Sequence, residues 1–294
     1  MELQSRVEEL QAQGIELATI SYDSREVLAA FAKQHGITYP MLSDQGSATI
    51  RRYGILNTVV ADALGPNKDD PAVKADVQKY ISIVNPSAMM QGIAFPGTFM
   101  LDRQGRVTSR FFEDFYIERN TVSSVLKRLG VGGEAVAGTN ISTQHLELTT
   151  YPSDPAVAPG NRFAVVLEIT PKPGMHVYAP GASNYRVVSV NIAEQPFVRT
   201  LAPPMYPPSE IYHFEPLDER VPVYQKPFTL VQEIVLEGDL QAQAAFKGKD
   251  SVTINATLDY QACDDKICYN PVSLPLSWTL QLRSLVMQRP PVAR

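Results

Sequence analysis

Cys263 and Cys268 are the chain's only cysteines, and both lie in the hexapeptide Cys263-Asp-Asp-Lys-Ile-Cys268. Two sulfurs within one loop's reach can form a disulfide, break it against another thiol, and form it again. Closing a loop of about six residues removes roughly 2 kcal/mol of unfolded-state entropy, the low end for a disulfide. Such a bond is a weak staple, and strained or exposed disulfides are the readily reduced ones. The flanking charges are mixed: Asp264 and Asp265 disfavour a thiolate and Lys266 favours it. Three states stay open: a redox-active pair, which the weak stapling favours, a structural hairpin disulfide, and two reduced thiols. A zinc site needs two ligands beyond a cysteine pair. The four histidines, His35, His145, His176 and His213, are scattered singly and read as ordinary surface or packing residues. Asp264, Asp265 and Tyr260 stand close enough in sequence to assist proton transfer, although solvated loop charges and a strand tyrosine are the plainer roles.

The hexapeptide sits in an apolar, β-prone stretch from Leu258 to Leu282. Apolar and polar residues alternate from residue 145 onward. His145 to Thr150, Arg162 to Thr170, Tyr185 to Ile192, Phe228 to Leu236, Ser251 to Gln261 and Leu274 to Leu282 all read as strands, with Gly or Pro between them. Of 23 prolines, 5 lie in residues 1–134 and the rest beyond, so turns are concentrated in the second half. Six or more strands at this spacing predict an antiparallel immunoglobulin-like β-sandwich, with Trp278 in its core.

The segment Leu258-Asp-Tyr-Gln-Ala-Cys-Asp-Asp-Lys-Ile-Cys-Tyr-Asn-Pro-Val-Ser-Leu-Pro-Leu276 resembles the redox segment of the N-terminal periplasmic domain of the thiol:disulfide interchange protein DsbD. Lys172-Pro-Gly-Met-His-Val-Tyr178 and Val223-Tyr-Gln-Lys-Pro-Phe-Thr-Leu230 are similar to two further stretches of that family. The resemblance covers roughly residues 142–283. It implies an immunoglobulin-like fold that passes electrons through Cys263 and Cys268 to or from a thioredoxin-like or other thiol-disulfide partner, with no cofactor and no metal. It also implies a cap loop whose aromatic side chain shields the pair, here within Glu210 to Asp218. Phe214 is the candidate shield, with Leu217 and Tyr212 as alternatives.

In the first half, Leu3, Val7 and Leu10 recur at helical spacing in Glu2 to Ala12, and Gly14 ends the helix. Ile15 to Ser21 reads as a buried strand. Asp23 or Ser24 caps a helix running to Gln34 with Val27, Leu28 and Phe31 on its apolar face. Helices are expected at Ser47 to Tyr53, within Lys74 to Val84, and at Arg119 to Leu129. Thr98 to Asp102 and Val107 to Phe112 flank the turn Asp102-Arg-Gln-Gly105, a hairpin signal. Residues 57–92 form a long insertion.

The stretches Gly14-Ile-Glu-Leu-Ala-Thr-Ile-Ser-Tyr-Asp-Ser24, Thr38-Tyr-Pro-Met-Leu-Ser-Asp44 and Ala94-Phe-Pro-Gly-Thr-Phe-Met-Leu-Asp-Arg-Gln-Gly105 resemble the redoxin branch that includes alkyl hydroperoxide reductase and thiol-specific antioxidant proteins. That resemblance implies a thioredoxin-like α/β fold, a peroxidase or disulfide oxidoreductase class, and a cis bond before Pro96. Redoxins carry their reactive cysteine ahead of the helix with which this chain begins, so the resemblance implies a catalytic segment that this sequence does not include. A truncated start and a domain that has lost its chemistry are the two accounts. Without a thiolate, the first domain is expected to be inactive as a peroxidase.

At 294 residues the chain suits two domains. The expected division is a thioredoxin-like domain at 1–130, incomplete at its N-terminus, a Gly-rich linker at 131–141, an all-β disulfide-interchange domain at 142–283 and a tail at 284–294. The formal charge of −5 is spread over both halves, and neither looks built for nucleic acid. No apolar run reaches the roughly 18 residues that cross a bilayer. No secretory signal is visible, and only the second domain's resemblance implies a periplasmic location. A different class of function also fits: a non-catalytic binding protein that docks a partner through Pro203 to Pro222 and keeps its disulfide as a staple.

Overall fold

Ser24 begins the first long helix, Arg25–His35, because its side chain accepts the Val27 N–H at 3.4 Å. Gly36 ends it at φ 62°, a left-handed conformation that glycine adopts without a Cβ clash, and returns its N–H to the Ala32 carbonyl. The computed structural model describes residues 2–81, 91–112, 118–128, 136–214 and 218–283. The chain divides into two compact units. The described residues of the first unit lie within 2–122 and 238–244, and those of the second within 123–237 and 245–283.

The first unit mixes helices and strands. Thr19–Ser21 pairs in parallel with Met41–Ser43, and Gly97–Leu101 pairs antiparallel with Val107–Phe112 around a turn in which Asp102 Oδ1 accepts the N–H groups of Gln104 and Arg106 at 2.9 Å. Among the described residues these are separate two-stranded sheets. The strand expected over Ile15 to Ser21 is shorter and not buried: Ile20 is 45% exposed and Leu42 opposite it 49%. A pair of three-residue strands with one neighbour each offers no second layer to cover these side chains. The first helix is broken at Arg6 into Glu2–Ser5 and Val7–Ala12. The insertion carries helices at Val59–Leu64 and Pro71–Ile81, the latter starting before the expected Lys74 because proline suits a first helical turn. Val84 lies outside the described residues. The helix expected at Arg119 to Leu129 is Val122–Arg128, preceded by a short strand at Arg119–Asn120, and from Ser123 on it belongs to the second unit; Leu129 is likewise outside the described residues.

The expected cis bond before Pro96 is not found: no described peptide bond is cis. Phe95 donates its N–H to the Ile55 carbonyl at 2.7 Å with the bond trans. The two isomers of an X-Pro bond differ by only about 0.5–1 kcal/mol, so local contacts decide between them.

The second unit is β-rich. One sheet runs Ser189–Ile192, Ser251–Tyr260, Val272–Leu282, Ala156–Val157, and its central pair stays in register from Ser251 opposite Gln281 to Tyr260 opposite Val272. A second runs Val198–Thr200, Phe228–Leu236, Asn161–Pro171, Leu146–Pro152, Thr139–Ser142. Alternate residues of both meet in one core that includes Leu148, Phe163, Leu167, Leu230, Ile254, Leu258 and Trp278. A third, smaller sheet runs Glu210–Phe214, Glu219–Tyr224, His176–Tyr178, Ala262–Cys263, and it carries the cysteines.

Candidate functional site

Cys263 ends the short strand Ala262–Cys263, which pairs antiparallel with His176–Tyr178 so that His176 faces Cys263 and Val177 faces Ala262. Asp264 then turns the chain. Its Oδ1 accepts the N–H groups of Lys266 and Ile267, each at 2.8 Å, and its own N–H donates to the Ile267 carbonyl at 3.0 Å. This side-chain turn brings Cys268 back opposite Cys263. The Tyr269 N–H closes on the Ala262 carbonyl, and its hydroxyl donates to Asp264 Oδ2 at 3.0 Å. The two cysteines are joined in a disulfide with a Cα–Cα distance of 4.1 Å.

The two sulfurs are not equivalent. Cys263 is 1% exposed, whereas Cys268, on the outer limb of the turn, is exposed. Cys263 packs with Tyr178, Val221 and Val223, and Ala182, Tyr185 and Tyr212 lie against that cluster. The Tyr178 hydroxyl is 2.9 Å from Cys263 Sγ and 3.3 Å from Cys268 Sγ. A disulfide sulfur has no hydrogen to give, so the phenol is the donor. Tyr185 stacks on Tyr178, with ring centroids 4.0 Å apart and planes 11° apart, and donates its hydroxyl to Glu219 at 2.5 Å.

Electrostatics follow from this packing. Burial, followed by Tyr185, Glu219 and Tyr212, pushes the Tyr178 phenol well above its ordinary range. Hydrogen bonding to Glu219 and then burial raise Tyr185. Burial lowers the His176 imidazole, with the Asp264 charge opposing. The Ile267 and Lys266 N–H groups hold the Asp264 carboxyl below the usual carboxylate range. Asp264 therefore shapes the turn, a plainer role than proton transfer. Tyr260 is fully buried in the main core and donates to Thr143 Oγ1 at 3.1 Å, so it is committed elsewhere.

Of the three candidates for a shielding side chain, Tyr212 packs against the cysteine cluster and its ring lies 4.6 Å from that of His176. Phe214 is half-buried at the far end of the same strand, opposite Glu219, and is not among the side chains packed on that cluster. Leu217 lies outside the described residues. Tyr178 contacts the disulfide, His176 lies opposite Cys263, and Tyr185 stacks on Tyr178 and bonds to Glu219, although the cysteine hexapeptide gives no sign of any of them. Tyr178 had a signal in the Lys172 to Tyr178 stretch, where an aromatic alternates with His176 ahead of a Pro-Gly turn. Among the described residues no group of three or more His, Cys, Asp or Glu side chains could hold a metal ion. No described helix is long and apolar enough to cross a membrane.

Comparison with known proteins finds two separate family matches along the chain. Residues 1–110 match the AhpC/TSA family, and residues 148–274 match the family described as thiol:disulfide interchange protein DsbD, N-terminal. Among solved structures the chain is similar to the N-terminal periplasmic domain of ScsB from Proteus mirabilis, at 14% identity and a TM-score of 0.34. The match covers 48% of this chain and 51% of that one, so the chain spans about half the length of that relative. No curated protein gives a significant match. The mixed α/β first part is consistent with a thioredoxin-like domain, the β-rich second part carries the cysteines, and the two family matches tie the chain to thiol–disulfide redox chemistry.

Proposed function

We propose that this chain is a thiol–disulfide exchange protein in which Cys263 and Cys268 relay electrons to or from a redoxin cysteine on a thioredoxin-like partner. The observation that carries this reading is the asymmetry of the pair: an exposed Cys268 bonded to a buried Cys263. An incoming thiolate needs access to one sulfur, and the exposed residue of the pair is Cys268. Attack there breaks the Cys263–Cys268 bond, forms a mixed disulfide on Cys268, and leaves the electron pair on Cys263. In reverse, Cys268 attacks the partner's disulfide, and Cys263 resolves the adduct by attacking Cys268.

The immunoglobulin-like sandwich is the architecture that fits this role, beginning at the strand Thr139–Ser142 rather than after a linker running to residue 141, with Tyr212 as the aromatic shield. Trapping tests the reading. Reduced Cys263→Ser, mixed with an oxidised thioredoxin-like protein, should accumulate a mixed disulfide through Cys268, and Cys268→Ser should give little. Adducts with neither variant would reject the exchange role.

A further inference from the structure

We infer that Tyr178 is a catalytic residue of this exchange site: its phenol is the hydrogen-bond donor that receives the Cys263 thiolate as the disulfide opens. The inference rests on the exchange reading above and adds a residue to it. When an external thiolate bonds to Cys268 Sγ, the S–S bond breaks and its electron pair leaves with Cys263. The reductant supplies both electrons, and no proton moves in this step. The charge therefore appears on a sulfur that is 1% exposed and packed with Val221, Val223 and Tyr178. Water does not reach it, and an uncompensated charge there is costly.

The Tyr178 hydroxyl already stands 2.9 Å from that sulfur in the disulfide form, so it needs no rearrangement to meet the charge. Donors aimed in advance at the place where charge develops stabilise a transition state more than a ground state. A disulfide sulfur is a weak acceptor and a thiolate a strong one, so the bond strengthens as the S–S bond lengthens. The surroundings keep the donor a donor. Tyr185 lies flat against the Tyr178 ring and gives its own hydrogen to Glu219, which leaves a carboxylate nearby that opposes any loss of the Tyr178 proton. Tyr185 and Glu219 are thus positioning residues. In the reverse direction the same bond holds Cys263 as a thiolate, ready to attack Cys268.

The experiment uses the full chain and dithiothreitol as the probe, so that partner recognition plays no part. Tyr178→Phe keeps the ring and its stacking and removes the hydroxyl. Disulfide reduction should slow ~10- to 100-fold, as expected for losing a hydrogen bond to a charged group. The second readout is one that a loosened structure would not mimic. In a Cys268→Ser background, the Cβ carbon shift of reduced Cys263 should titrate at higher pH when Tyr178 is phenylalanine. Site-specific 3-fluorotyrosine, a more acidic donor of nearly the same shape, should move it to lower pH and covers the case in which the phenylalanine variant fails to fold. An unshifted titration in both, with an unchanged reduction rate, overturns the role of Tyr178 and leaves the exchange site standing. A parent disulfide that dithiothreitol reduces no faster than it reduces oxidised glutathione overturns the exchange reading itself.

Discussion

His145 shows how much one residue's chemistry can escape a reading of sequence. It is 6% exposed, its ring lies 4.6 Å from that of Tyr269 and 6.2 Å from that of Tyr260, and among the described residues neither ring nitrogen has a hydrogen-bond partner. Burial and then the Lys172 charge push its imidazole below the ordinary histidine range, and burial does the same to His176. Both are therefore more readily protonated in the unfolded chain. Stability should be flat above the unfolded histidine pKa of about 6.5, fall as pH drops from there toward the lowered folded values, and level off below them. His145→Phe keeps the ring contacts and removes two unpaired polar atoms, so it should stabilise the second unit by about 1 kcal/mol at pH 8. It should also lose part of the decline between pH 7 and pH 5, His176 retaining the rest. Urea unfolding at the two pH values checks both statements, and a decline of parental size would show that His145 is not involved. The cysteines announce themselves by scarcity and spacing, whereas His145, Tyr178 and Glu219 acquire their roles only from what the fold packs around them.

At the scale of elements, the long strands were legible and the short ones were not. Phe228–Leu236 and Ser251–Tyr260 follow the alternation of their residues, because nine or ten positions half-buried on one sheet impose a period of two. The strands that build the site, His176–Tyr178 and Ala262–Cys263, have three residues and two, too few to show a period. Glu219–Tyr224 contains Pro222, which counts against a strand by sequence, yet here it pairs opposite Ile211 and its carbonyl accepts from Ala179. Trp278 holds the two large sheets together as its position in the pattern suggests. It lies opposite Ile254, is 4% exposed, and donates its Nε1–H to Thr150 Oγ1 at 3.0 Å. Trp278→Ala should therefore cost about 3–5 kcal/mol in denaturant unfolding, through lost packing and the loss of its hydrogen bond to Thr150, whose hydroxyl keeps its own bond to the Val166 carbonyl. A loss under about 1 kcal/mol would mean that the core does not depend on it.

At the scale of the whole molecule, the cysteine cluster is distinct from the main hydrophobic core of its unit. The disulfide closes a loop so short that breaking it should cost roughly 2 kcal/mol or less. The fold can therefore persist with the pair open or closed, as an exchange site requires. Two redox-family segments in one chain were legible in their motifs. The exposed Ile20 and Leu42 and the trans bond before Pro96 were not, because they depend on which neighbours each strand has. The most direct test is the equilibrium reduction potential of the Cys263–Cys268 bond, titrated with glutathione redox buffers and followed by mass spectrometry of alkylated thiols. A redox-active pair predicts a value above about −300 mV, within reach of thiol–disulfide partners. A value well below that would contradict exchange and make the bond a structural staple.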